Sequence, residues 1–116
     1  MTDTTSDCLF CRIAAGEIPA TVVRETVRTV AFRDIEPQAP VHVLVIPRDH
    51  HPDFGGLVAA DPQLASTLLA EASSIAVQEG LTDYRLVVNT GAQAGQSVFH
   101  VHAHVLGGRP MLWPPG

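Results

Sequence analysis

The chain contains no lysine: all of its seven basic residues are arginines, scattered singly, against twelve acidic residues and a formal net charge of −5. Without a basic stripe there is no electrostatic footprint for wrapping a nucleic-acid backbone, although local donors can still hold a small anion. There are only two cysteines, Cys8 and Cys11. They are too few for the disulfide framework of a small secreted domain, but their spacing suits a metal or redox pair. An apolar run long enough to cross a bilayer is missing, and so is a secretory signature at the start. These absences point away from membrane and nucleic acid and towards a cytoplasmic protein. The 116 residues, 46% of them hydrophobic, suffice for one core and leave little room for a second. Residues 1–6, MTDTTS, read as a frayed polar end, and residues 7–116 as a single domain. A site must then sit on a sheet or between subunits.

Residues 7–15 predict a short helix, with Asp7 to begin it and Gly16 to stop it. Two valine-rich strands follow, in ATVVRE and VRTVAFRD, with a turn at Glu25 and Thr26. The prolines of IEPQAP break the pattern, after which residues 41–46 read as a buried strand ended by Pro47. RDHHPDFGG reads as a loop. Asp61 and Pro62 then suit the cap and first position of the main helix, whose Leu64, Leu68, Ala72, Ile75 and Ala76 recur at three- and four-residue intervals up to Gly80. YRLVVN and SVFHVHAHVLGG complete the set. The expected fold class is α+β: a five-stranded, largely antiparallel sheet with one long and one short helix.

What the chain does have is histidine. Six are present, three of them at alternate positions in VFHVHAHVL. On a strand, alternate side chains share a face at a spacing of about 6.6 Å, so His100, His102 and His104 form a row while Val101, Ala103 and Val105 enter the core. Imidazoles titrate near neutrality, and a row of them can divide the tasks of nucleophile, proton carrier and positioner, or hold a metal. Just before the row, NTGAQAGQS offers two glycines and small residues through which backbone N–H groups can converge on a phosphate. Donors opening onto neutral ring nitrogens are what attack at phosphorus needs.

The run HVHAHVL matches the pattern His-φ-His-φ-His-φ-φ, with φ apolar. Together with AFRDIEPQAPVHVLVIP, VVNTG, GQSVFHVHAHVLGGR and the terminal WPPG, it resembles the histidine triad family in its nucleotide-binding branch, from Cys8 onward. The resemblance implies a homodimer in which two such sheets join as ten strands. It implies hydrolysis of purine nucleoside 5′-phosphoramidates, with no cofactor needed for the chemistry. His102 would be the nucleophile, in a catalytic group with His100, His104, His42 and Ser97. His104 and His42 would hold phosphate oxygens, and Ser97 would help protonate the leaving amine. Asn89 and the backbone near Gln96 and Ser97 would complete the phosphate site. Asp34 would accept the ribose hydroxyls, and Leu9, Phe10, Ile13, Phe32 and Ile35 would wall the base. Trp113, in the tail, would reach the partner subunit near its active site. Some relatives bind a structural zinc, which here implies Cys8, Cys11, His50 and His100 as ligands, with His51 competing for the place of His50.

Two other function classes stay open on the sequence. In one the triad itself holds a catalytic metal that activates water. In the other the protein binds nucleotides as a scaffold and its catalysis is incidental. The stretch GQS, ending in Ser97, favours the phosphoramidase over the dinucleotide-cleaving branch.

Overall fold

The computed structural model describes residues 7–116, so the expectation for residues 1–6 lies outside the described residues. Helix α1 (Leu9–Ala14) is followed by strands β1 (Val22–Glu25), β2 (Thr29–Arg33) and β3 (Val41–Pro47). Helices α2 (Phe54–Ala60) and α3 (Pro62–Gln78) come next, then β4 (Tyr84–Val87), a 3-10 turn (Ala92–Ala94) and β5 (Ala103–Gly107). The strands form one five-stranded sheet in the order β1-β2-β3-β5-β4, every neighbouring pair antiparallel. The α+β class and the antiparallel sheet are as the sequence predicts. No helix among the described residues is long and apolar enough to cross a membrane.

The sheet separates two apolar clusters, and strand alternation decides which residue joins which. On one face Ala31, Val43, Val45, Val101 and Val105 meet the stripe of α3 that includes Leu64, Leu68, Ala72 and Ile75. Each fully buried Leu or Ile there contributes about 1.5–3 kcal/mol through removal of apolar surface from water. On the other face Val30, Phe32, Leu44 and Ile46 meet Cys8 and Phe10. His42 precedes Leu44 by two residues on β3 and so lies on this second face, opposite the main helix.

The ends of α3 follow local chemistry. Asp61 caps it by accepting from Leu64 N at 3.0 Å, Pro62 opens it, and Gly80 at φ +74 lets the chain leave.

Four boundaries differ from the sequence reading. The N-cap of α1 is Cys8, whose Sγ accepts from Cys11 N, and not Asp7. The first turn occupies residues 26–28, closed by Thr26 N donating to Thr29 O at 2.9 Å, one step later than Glu25 and Thr26 suggest. The stretch taken as loop ends in a helix: Asp53 accepts from Gly56 N at 2.8 Å and starts α2. Gly55 and Gly56 lower helix propensity and conceal it in the sequence. Finally, the last strand begins only at Ala103. His100 and His102 precede it, and there the main chain bonds outside the sheet: Val101 N donates to His51 O at 2.8 Å.

Candidate functional site

That late start divides the histidine row. His104 stands on β5 opposite Leu44 of β3, and His102 lies one position before the strand with its ring centroid 4.9 Å from that of His104. His100, fully buried, turns towards α1. Two groups of side chains result, joined by three residues of main chain.

The first group holds Cys8, Cys11, His50 and His100. His50 Nδ1 and His100 Nδ1 are 3.2 Å apart, Cys11 Sγ is 3.3 Å from the former and 3.4 Å from the latter, and Cys8 Sγ is 3.4 Å from His100 Nδ1. His51, the competing loop residue, is not a member of this cluster. The edges of a zinc tetrahedron with nitrogen and thiolate ligands are about 3.3–3.8 Å, so this donor set is compatible with structural zinc. His100 Nε2 lies 2.8 Å from Pro47 O and donates to it, which leaves Nδ1 bare and aimed at the cluster. Such a carbonyl partner is how a protein orients a ligating imidazole. Burial, above all, pushes the His100 pKa down to about 4, keeping the ring neutral.

The second group lines an open pocket of about 880 Å³. Its apolar wall includes Leu9, Phe10, Ile13, Phe32 and Ile35, and its polar members include Asp34, His42, Ser97, His102 and His104. Ile18 to Thr21 also line it; nothing in their sequence marks them, because they are brought there only by the path from α1 to β1. The one arginine of the lining, Arg33, is engaged by Glu79 through two hydrogen bonds of 2.8 and 3.2 Å. A phosphate in this pocket must therefore be held by neutral donors.

Hydrogen-bond partners assign the proton on each ring. His102 Nδ1 is 2.8 Å from His100 O and donates to it, so Nε2 carries the bare lone pair. Gln38 N donates to His42 Nδ1 at 3.0 Å, which places the His42 proton on Nε2. That proton goes to His104 Nδ1 at 2.9 Å, leaving the His104 proton on Nε2. His104 Nε2 is buried with no partner among the described residues. An orphaned buried donor costs about 1–3 kcal/mol, a cost that a ligand acceptor removes. Burial lowers the pKa of His42 and of His102, and that of His104 to about 4, with the Asp34 carboxylate opposing in each case. All three rings are neutral near pH 7. Phe10 presses edge-on against the His102 ring, centroids 5.0 Å apart, and limits its rotation.

Asp34, His42 and His104 also bring three donor atoms together. Their chemistry does not fit a metal. His42 Nδ1 already accepts from a peptide N–H, so ligation through Nε2 would require the ring to lose both protons.

Three of the nucleotide-binding candidates stand apart from the pocket. The Gln96 side chain is buried and committed to its own loop, accepting from Gly91 N and donating to Pro52 O and Val98 O, so only its main chain can serve a ligand. Asn89 lies against Gly95 and does not line the pocket. Trp113 is 83% exposed on the tail, outside the pocket of its own chain. The peptide N–H of Gln38 has no signal in the sequence, since a main-chain donor leaves no trace in residue type.

A family model described as the HIT domain matches residues 15–111. The chain is 51% identical to a HIT family hydrolase of Legionella pneumophila, whose crystal structure superposes with a TM-score of 0.90 over 94% of this chain and 99% of that one. It is 48% identical to a 14 kDa zinc-binding protein of Zea mays over 96% of this chain and 89% of the relative. A histidine triad nucleotide-binding protein of Candida albicans is 31% identical, with a TM-score of 0.70 over 84% of this chain and 72% of that one.

Proposed function

The chain belongs to the HIT domain family, and from that premise we propose that it is a nucleotide hydrolase, a purine nucleoside phosphoramidase working through a nucleotidylated His102. One observation carries the reading: His102 has its proton fixed on Nδ1 by His100 O, while a bare Nε2 and the unpartnered His104 Nε2–H belong to one pocket. A neutral lone pair beside an unused donor is the pairing that attack on a phosphoryl group requires.

In the first step His102 Nε2 forms a bond to the α-phosphorus and the P–N bond to the leaving amine breaks. The amine takes a proton from Ser97, a reading supported by the exposure of Ser97 at the pocket. The imidazole becomes cationic, and its Nδ1–H tightens on the His100 carbonyl. His104 Nε2–H donates to a phosphoryl oxygen, with His42 behind it. Water then attacks phosphorus and gives up a proton that restores the Ser97 hydroxyl, the Nε2–P bond breaks, and the nucleoside monophosphate leaves with His102 neutral again. Asp34 takes the ribose hydroxyls, the apolar wall takes the base, and the main chain around Gln96 and Ser97, with Asn89 supporting its loop, shapes the phosphate end.

Cys8, Cys11, His50 and His100 would hold a structural zinc, which when bound ties α1 to the segment before β5. Residues 7–116 act as one domain of a cytoplasmic homodimer. The exposed edge strand β4, with Tyr84 and Leu86 on the surface, and the exposed Trp113 support pairing with a second copy.

The test is turnover of adenosine 5′-phosphoramidate, with the protein quenched during turnover and analysed by mass spectrometry. Turnover that survives a chelator, with an adenylate adduct mapped to His102, is the expected result. No turnover, or none after chelation of a still-folded protein, would overturn the covalent reading.

A further inference from the structure

The donor character of His104 depends on a loop that has no strand partner. Residues 34–40 connect β2 to β3, and it is the Gln38 N–H within them that fixes the His42 proton on Nε2. Within the loop, Glu36 N donates to Asp34 Oδ1 at 2.8 Å and the Gln38 side chain to Glu36 O at 3.0 Å, and from outside it Gln38 is held by the far end of the chain. Beyond β5, Gly108 turns with φ +92 so close to Pro40 that a Cβ would lie 2.9 Å from the Pro40 ring. Arg109 then donates through Nε to Gln38 O at 2.9 Å and through Nη1 to Pro110 O at 2.9 Å. Arg109 has no carboxylate partner among the described residues, and both of its bonds go to main-chain carbonyls.

The His42–His104 pair has two possible polarities. In the one that the Gln38 N–H assigns, protons run from Gln38 N to His42 Nδ1, from His42 Nε2 to His104 Nδ1, and from His104 Nε2 into the pocket. In the reverse one, His42 carries its proton on Nδ1, His104 donates from Nδ1, and His104 Nε2 is bare. A bare nitrogen facing a phosphoryl oxygen sets lone pair against lone pair. Asp34 Oδ2, 3.5 Å from His42 Nε2, also favours the assigned polarity. When a ribose engages that carboxylate its hold weakens, and the Gln38 peptide is left as the determinant.

We propose that Arg109 is a positioning residue: by anchoring the Gln38 peptide it sets the polarity of the His42–His104 pair and keeps His104 Nε2 a donor. The catalytic consequence rests on the hydrolase reading above, whereas the polarity itself does not.

The experiment is long-range ¹H–¹⁵N correlation on histidine-labelled protein, free and saturated with adenosine 5′-monophosphate, alongside phosphoramidate kinetics. The wild type should show His104 Nε2 protonated and Nδ1 bare in both states. Arg109→Ala should move the His104 Nε2 signal towards the bare position, most clearly with nucleotide bound. It should lower kcat by about tenfold, less than the roughly 10²–10³ seen when an oxyanion donor is deleted outright. Arg109→Lys, which keeps a cationic donor, should restore most of the pattern. Arg109→Met removes every donor while keeping the aliphatic stem, and gives the same readout should the alanine variant lose its folded spectrum. A wild-type His104 pattern in nucleotide-bound Arg109→Ala or Arg109→Met overturns the proposal whatever the rates do. If the wild type turns over no phosphoramidate yet the Arg109 variants shift the pattern, the hydrolase reading falls and the positioning role stands.

Discussion

His100 and His102 are the same residue type, two positions apart, both buried, and they offer opposite nitrogens. His100 gives its Nε2–H to Pro47 O and turns a bare Nδ1 to two thiols and a second imidazole. His102 gives its Nδ1–H to His100 O and is left with a bare Nε2 on the nucleotide pocket. The difference lies in which carbonyl each ring meets. One acceptor leaves a nitrogen suited to holding a metal, the other a nitrogen suited to attack on phosphorus, and the two are linked because the carbonyl that fixes His102 belongs to His100.

The sharpest way to separate the two regions is to delete each ring in turn. His102→Ala removes the nucleophile and should lower phosphoramidate turnover by at least about 10⁴-fold, as loss of a covalent catalyst does. Zinc content, measured by atomic emission, should stay at the wild-type level. His100→Ala should do the reverse in kind: zinc is lost, and a fully buried ring is replaced by a void at a cost of about 2–5 kcal/mol in denaturant unfolding. Its residual activity, per folded molecule, should exceed that of His102→Ala. Should the two variants show the same zinc content and the same turnover, the division between the regions is wrong.

Much of this division was legible before the structure, and some of it had no means of being so. Alternation placed Val101, Ala103 and Val105 in the core, because a side-chain period of two is dictated by strand geometry and shows in residue type. Asp61, Pro62 and Gly80 marked α3 for the same reason: caps require particular side chains. The split of the triad was not legible. It depends on where β5 begins, hence on Val101 N bonding to His51 O instead of within the sheet. Likewise Pro47 O, His100 O and Gln38 N act through main-chain atoms that every residue possesses. Helix α2 was concealed by two glycines whose low propensity is overridden by the Asp53 cap and the burial of Leu57.

A smaller effect, common to both regions, comes from protons. His100 and His104 are held to about 4 by burial, while an unfolded histidine titrates near 6.5. Between those values the unfolded chain binds protons that the folded chain refuses, so unfolding free energy rises with pH across the window. Stability of the chelated protein is therefore full above about pH 6.5 and is lost as the pH falls towards about 4. Calorimetric melting across that range should show Tm falling on acidification, and His104→Gln should flatten the slope. An unchanged slope in that variant would mean that the pocket side of the divide does not contribute.

The smallest expected change tests whether the comparison is between two sites or merely between two stabilities. Asp61 caps α3 on the opposite face of the sheet, accepting from Leu64 N and pairing with Arg28 at 2.8 Å. Its pKa is lowered chiefly by the Arg28 hydrogen bond, but the pair is exposed enough that most of the loss in Asp61→Ala should come from the cap. That is a modest global destabilisation applied outside both the Cys8–His100 cluster and the His102 pocket, with His51 the histidine whose charge reaches Asp61. If the Cys8–His100 cluster and the His102 pocket are local devices, zinc affinity and kcat/KM should both remain within about twofold of wild type, since sites without shared partners are additive. A fall in both that tracks Tm would show that the ring orientations respond to overall stability, and that the carbonyls at Pro47 and His100 do not by themselves fix them.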